Sequence, residues 1–171
     1  MKYIVIDPSG SFNEGKGHTG IVTLIDNDWN TLNVCCIYAN KYNTRVEYWT
    51  TMIKYVLMQI PSDKNVRIVI ESFLIRSNGF TLGKMPETIL FIGALIYALE
   101  IRNISYVLQT PAQAKARFKD ELLPKYIPNL IRKPNGWYTL NGQIINDHMR
   151  DALKHLLFYK KYGEKNDVIE S

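Results

Sequence analysis

Two kinds of apolar spacing alternate along the chain. Short runs rich in β-branched residues occur at 3–7 (YIVID), 21–26 (IVTLID), 31–39 (TLNVCCIYA), 66–72 (VRIVIES) and 104–110 (ISYVLQT). Runs of this kind, bounded by turn residues, predict strands. The second and third are separated by the turn NDWN at 27–30, and the first three strands together predict an antiparallel meander. Residues 8–20, PSGSFNEGKGHTG, carry four glycines and a proline and predict a long loop. Helical spacing takes over elsewhere. In 44–60, Val46, Trp49, Ile53, Val56, Leu57 and Ile60 fall on one face, with Thr44 placed to cap it. Further helices are predicted over 86–102, with Pro86 in the first turn, over 111–126, and from Ile144 to Tyr162. A loop with Pro128, Pro134 and Gly136 separates the last two.

The predicted order is β-β-β-α-β-α-β-α-α. Strands separated by helices pair in parallel, and hairpin-linked strands pair antiparallel. The expectation is an α/β chain with a ribonuclease H-like five-stranded mixed sheet, three antiparallel strands then two parallel ones, flanked by helices. A doubly wound sheet would need helices between all its strands, which the early hairpin contradicts. Residues 1–163 are expected to form a single domain and 164–171 a frayed tail.

Composition narrows the setting. With 46% hydrophobic and 22% charged residues the chain is ordinary for a globular protein. Its longest apolar stretch, 89–99, falls short of the ~20 residues that span a bilayer. The opening MKYIVIDPSG breaks its apolar run at Asp7 and Pro8, unlike a secretory signal. The only cysteines, Cys35 and Cys36, are adjacent and poorly placed to bridge. A soluble, cytoplasmic protein without a membrane partner is expected. The net charge of +5 favours an anionic partner such as nucleic acid.

The chemistry concentrates in the last helix. With His148 at zero on a helical wheel, Ile145, Met149, Ala152, Leu153 and Leu156 form an apolar stripe between about 40° and 140°. Asp147, His148, Asp151 and His155 form a polar patch beside it, and His148, Asp151 and His155 lie nearest the stripe. These groups could simply be solvated or paired with Arg150 and Lys154. Two further acids raise the interest of the patch. Asp7 closes the first strand and Glu71 closes the fourth, and parallel pairing of those strands would make them neighbours. Converging carboxylates without matching cations point to a hard divalent ion, Mg²⁺ or Mn²⁺. Two such ions about 3.5–4 Å apart suit phosphodiester hydrolysis.

These motifs, in this order, resemble a known family. YIVIDPS, TGIVTLI, IVIESF, LFIGALIYAL, PAQAK and HMRDAL are similar to successive segments of RuvC-type Holliday junction resolvases, in a form often carried by phages. The resemblance spans nearly the whole chain. It implies a metal-dependent endodeoxyribonuclease acting on branched DNA as a homodimer, leaving a 5′-phosphate nick. It implies metal ligands at Asp7, Glu71, His148 and Asp151, with Asp147 the alternative to His148, and Lys115 near the scissile phosphate. The turn after Asp7 departs from the family's DPG, because Ser9 stands where glycine is usual. Leu74 stands where the family has a wedge aromatic, with Phe73 and Phe80 nearby.

Basic groups beside aromatics suggest DNA contacts at Arg76, Phe80 and Lys84, at Arg117 and Lys119, and at Arg132 and Lys133 near Trp137. The helix over 86–102 is apolar almost all round, which independently suggests a second copy. Other readings are a ribonuclease H-like nuclease for flaps, forks or RNA–DNA hybrids, and a non-catalytic DNA-binding or assembly protein of the same fold. An actin-like nucleotide-binding fold would need two domains and a longer chain.

Overall fold

The computed structural model describes residues 1–9, 11–12, 17–72 and 87–163. Five strands form the main sheet: β1 (Lys2–Asp7), β2 (His18–Ile25), β3 (Asp28–Tyr38), β4 (Val66–Glu71) and β5 (Tyr106–Gln109), in the order β3-β2-β1-β4-β5. β1 pairs antiparallel with β2 and β2 with β3, while β4 pairs parallel with β1 and with β5. This is the mixed sheet expected from the order of elements.

Alternation along the strands separates two cores. Ile4, Ile6, Ile21, Ile68 and Ile70 face one way, against Tyr48, Met52 and Val56 of α1 (Arg45–Met58) and Phe91, Leu95 and Leu99 of α2 (Glu87–Glu100). Tyr3, Val5, Val22, Leu24 and Val69 face the other way, against Met149, Ala152, Leu153 and Leu156 of α4 (Asp147–Phe158). A shorter helix, α3 (Pro111–Arg117), precedes α4. Thr44 caps α1 as expected, its hydroxyl accepting from the Glu47 amide at 3.1 Å.

Several boundaries differ from expectation. The β2–β3 turn is Asp26-Asn27, both at positive φ (49° and 60°), so β3 starts at Asp28 inside the predicted turn. A two-residue turn of that shape matches the twist of its strands. β2 begins at His18, three residues early, and brings Gly20 opposite Asp7. The predicted helix 111–126 stops at Arg117. Pro124 has no amide hydrogen and would crowd the carbonyl four residues back, so Asp120–Lys125 forms a 3₁₀ turn instead.

The expected loop after it folds into a second sheet of three-residue strands: β6 (Leu130–Arg132), β7 (Tyr138–Leu140) and β8 (Gln143–Ile145). Asn141-Gly142, at φ 48° and 84°, makes its second turn. The last helix accordingly starts at Asp147, not Ile144, and Asn146 caps it by accepting from the Met149 amide at 2.9 Å. It ends at Phe158 and passes into a π-helical turn, Tyr159–Gly163. Cys35 and Cys36 are free thiols. Among the described residues no helix is long and apolar enough to cross a membrane.

Candidate metal centre

Two strand ends and one helix build the site. Ile6 pairs with Ile70, so the next residues, Asp7 and Glu71, leave the two central parallel strands side by side. Both are buried, at 5% and 9% exposure. The third element, α4, lies across β2 at Gly20. A Cβ there would sit 2.4 Å from the His148 carbonyl oxygen and 2.8 Å from the Met149 nitrogen. Only glycine admits so close an approach, and it brings the first turn of α4 down onto the sheet beside Asp7.

Asp7, Glu71 and Asp151 each present a carboxylate oxygen, and these atoms lie within 4.8 Å of one another. His148 Nδ1 is 2.8 Å from Asp7 Oδ2. Asp147, the alternative at that corner, is exposed. Lys115, from α3, reaches Asp151 Oδ2 at 2.7 Å and Glu71 Oε1 at 3.3 Å. The expectation of carboxylates without matching cations therefore holds only in part: Lys115 and Lys154 neutralise two of the three. Lys154 Nζ is 2.7 Å from Asp151 Oδ1 and also pairs with Asp120, which in turn holds Arg150.

Sequence reasoning placed His155 in the polar patch beside the apolar stripe, without its partners. The ring is fully buried, with Nε2 2.8 Å from Glu71 Oε2 and Nδ1 2.9 Å from Gln109 Oε1. Gln109 carried no sequence signal, because its meaning comes from the register that sets it beside Glu71. His18 was also missed; its ring lies edge-on to His148 at 5.9 Å. Thr19 is buried in the same strand and ties down the turn after Asp7, its Oγ1 accepting from the Ser9 amide at 3.1 Å.

The three acids differ electrostatically. Burial pushes Asp7 up to about 6, and the hydrogen bond from His148 offsets only part of that. Burial acts on Glu71 in the same direction, but His155 and then Lys115 more than compensate and hold it below its usual range. Asp151 is likewise lowered, Lys115 and Lys154 outweighing burial. The hydrogen bond to Asp7 raises His148 against the effect of burial. Lys115 is raised because Asp151 and Glu71 outweigh its desolvation. Asp7 is thus the under-compensated charge, set among three hard oxygen donors. That donor set fits a hard divalent cation.

The exposed basic residues Arg117, Lys119, Arg132 and Lys133 lie outside this cluster. Arg117 rests near the Tyr162 ring at 6.0 Å. Arg76, Phe80 and Lys84, like Phe73, Leu74 and Pro86, lie outside the described residues, as does the tail 164–171.

Solved structures similar to this chain over almost their full length include two of RuvC. One is T. thermophilus RuvC in complex with a Holliday junction substrate, with a TM-score of 0.65 and 15% identity, covering 97% of this chain and 96% of that one. The other, Thermus thermophilus RuvC, has a TM-score of 0.60 and 16% identity, covering 95% of this chain and 97% of that one. No family model and no curated protein matches the chain. The fold is therefore the ribonuclease H-like fold seen in RuvC.

Proposed function

We propose that the protein is a structure-selective endonuclease of the RuvC type, resolving Holliday junctions or other branched DNA by metal-dependent phosphodiester hydrolysis. The observation that carries this reading is the meeting of Asp7, Glu71 and Asp151 within 4.8 Å at the end of the central strands. The similarity in fold to RuvC bound to a junction adds the substrate class. Asp7, Glu71 and Asp151 would hold Mg²⁺ or Mn²⁺, two ions per site, with His148 as a fourth ligand or as the group orienting the attacking water. Bound cations of this kind activate water and stabilise charge on the phosphate and the leaving oxygen.

The surrounding residues prepare the carboxylates. His155 takes Glu71 Oε2 and Lys154 takes Asp151 Oδ1, leaving Glu71 Oε1 and Asp151 Oδ2 turned toward the site, where Lys115 Nζ now meets both. These two oxygens would be the ones offered to a cation in place of Lys115. Lys115 is 39% exposed on a flexible stem, which suits it to steady charge on a bound phosphate. Arg117, Lys119, Arg132 and Lys133, with Arg76, Phe80 and Lys84, are proposed DNA contacts. The outward face of α2 carries Leu90, Gly93 and Tyr97 at helical spacing, with Ile101 just past its end, all exposed. A second copy covering that face would give a homodimer with one site for each of two opposed strands.

The test is a cleavage panel. Mobile and fixed four-way junctions, flaps, forks, RNA–DNA hybrids and plain duplex are incubated with Mg²⁺, Mn²⁺ or chelator. Junctions should be cut with either metal and not with chelator, and Asp7→Asn should abolish cutting. Preferential cutting of flaps or hybrids would move the protein to another nuclease class of the fold. Metal-independent binding without cutting would make it a non-catalytic DNA-binding protein.

A further inference from the structure

The small sheet β6-β7-β8 has two unlike faces. Leu130, Tyr138, Leu140 and Ile145 turn inward and join the core beneath α4. Ile131, Thr139 and Ile144 form the cross-strand row of the other face. Ile131 and Ile144 are 53% and 58% exposed, and Trp137, just before β7, is 57% exposed. Lys133 and Trp137 face each other across the β6–β7 turn, the Lys133 amide donating to the Trp137 carbonyl at 2.7 Å. They help line an open cleft of about 620 Å³, together with Pro134, Asn135, Thr139 and Ile144. An indole, two isoleucines and a cleft of this size left to solvent imply an occupant.

Charge and position say which occupant. The segment 130–145 contains Arg132 and Lys133 and no acidic residue, so an anionic chain is favoured there. Ile144 stands four residues before His148, so their Cα atoms are at most about 14 Å apart. His148 in turn touches Asp7 at 2.8 Å. Ile144, on this face, therefore lies within roughly four nucleotides' length of His148 at about 3.4 Å per nucleotide, so one DNA strand is long enough to reach both.

Resting on the nuclease reading above, we infer that the outer face of β6-β7-β8 is a platform for unpaired DNA: Trp137 stacks a nucleobase, and Lys133 and Arg132 bind the phosphates beside it. Stacking on an indole is tolerant of sequence because every base has a π-face, so the platform selects single-stranded character and not a particular base. It would distinguish a branch point, where bases are unpaired, from plain duplex.

The experiment is fluorescence anisotropy in chelator with two labelled probes, an oligothymidylate and a perfectly paired duplex, for wild type, Trp137→Ala, Trp137→Phe and Lys133→Ala. Trp137→Ala should weaken oligothymidylate binding by roughly 5- to 150-fold and Trp137→Phe by much less. Duplex affinity should be unchanged in both. Lys133→Ala should reduce the salt dependence of oligothymidylate binding by about 0.7 in log–log slope. A wild-type protein that cuts nothing with Mg²⁺ yet shows this pattern refutes the nuclease reading and keeps the platform. Unchanged oligothymidylate affinity in Trp137→Ala overturns the platform. So does an equal loss on both probes. A drop from dimer to monomer mass in Trp137→Ala, with DNA affinity intact, would assign the face to a second copy and overturn it as well.

Discussion

Replacing Asp7 by Asn should make the metal-free protein more stable, although it destroys the proposed site. Asp7 is buried, and its carboxyl is raised from 3.8 to about 6. A group raised in the folded state binds protons more readily folded than unfolded. Stability is therefore lost as pH climbs from about 4 to about 6, and the full penalty remains at neutral pH. That rise corresponds to roughly 3 kcal/mol as an upper bound, so Asp7→Asn should gain about 1–3 kcal/mol at pH 7.5. For a chain of this length the gain is about 2–4 °C in Tm per kcal/mol. The assay is thermal unfolding in chelator from pH 5 to 8, repeated with Mg²⁺ or Mn²⁺. Wild type should lose stability in chelator from pH 5 to about 6, level off above that, and regain it with metal; Asp7→Asn should be flatter in pH and indifferent to metal. Glu71→Gln and Asp151→Asn should behave oppositely. Their carboxyls are lowered by His155, Lys115 and Lys154, so each contributes stability above its unfolded value that is lost as pH falls through its folded value. If Asp7→Asn in chelator is no more stable than wild type at pH 7.5, the under-compensated charge is wrongly assigned.

Four further outcomes are expected. Gly20→Ala places a Cβ 2.4 Å from the His148 carbonyl, so it should cost about 1–3 kcal/mol in denaturant melts and abolish cleavage by displacing the first turn of α4. His148→Asp should keep metal-dependent cleavage, His148→Ala should lose most of it, and Asp147→Asn should be near wild type in a single-turnover assay; an inactive Asp147→Asn beside an active His148→Ala would exchange their roles. His155→Ala leaves Glu71 and Gln109 without their buried partner and should cost about 2–4 kcal/mol by chemical denaturation, whatever happens to catalysis. Tyr97→Glu, at a side chain 69% exposed on α2, should change the stability of the fold by less than about 0.5 kcal/mol yet reduce the mass seen by light scattering to that of a monomer.

Local spacing carried much of the fold and the core of the site. The runs YIVID and VRIVIES form β1 and β4, and each ends on its acid because a buried strand keeps apolar side chains on both faces until the chain leaves the sheet. Met149, Ala152, Leu153 and Leu156 are buried as their helical spacing predicts, with Asp151 at the border of the stripe, while Ile145 is buried from β8 and not from the helix. From those features alone Asp7, Glu71 and the polar patch of α4 could be brought together, and the family resemblance singled out Asp151 within it.

The tertiary structure decided the rest, because periodicity reports which face of an element is buried but not what lies across from it. Strands of three residues are too short to display a period, so β6, β7 and β8 were read as loop despite the Asn141-Gly142 turn. The approach of α4 to Gly20 set His148, and not Asp147, against Asp7, a contact between residues 141 positions apart. Lys154 is buried despite its charge because Asp120 and Asp151 meet it there, and His155 became the partner of Glu71 through a contact spanning 84 positions. A buried polar group is tolerated only when a partner satisfies it. Its partner is chosen by the packing of distant elements, and that choice is written in no single stretch of the chain.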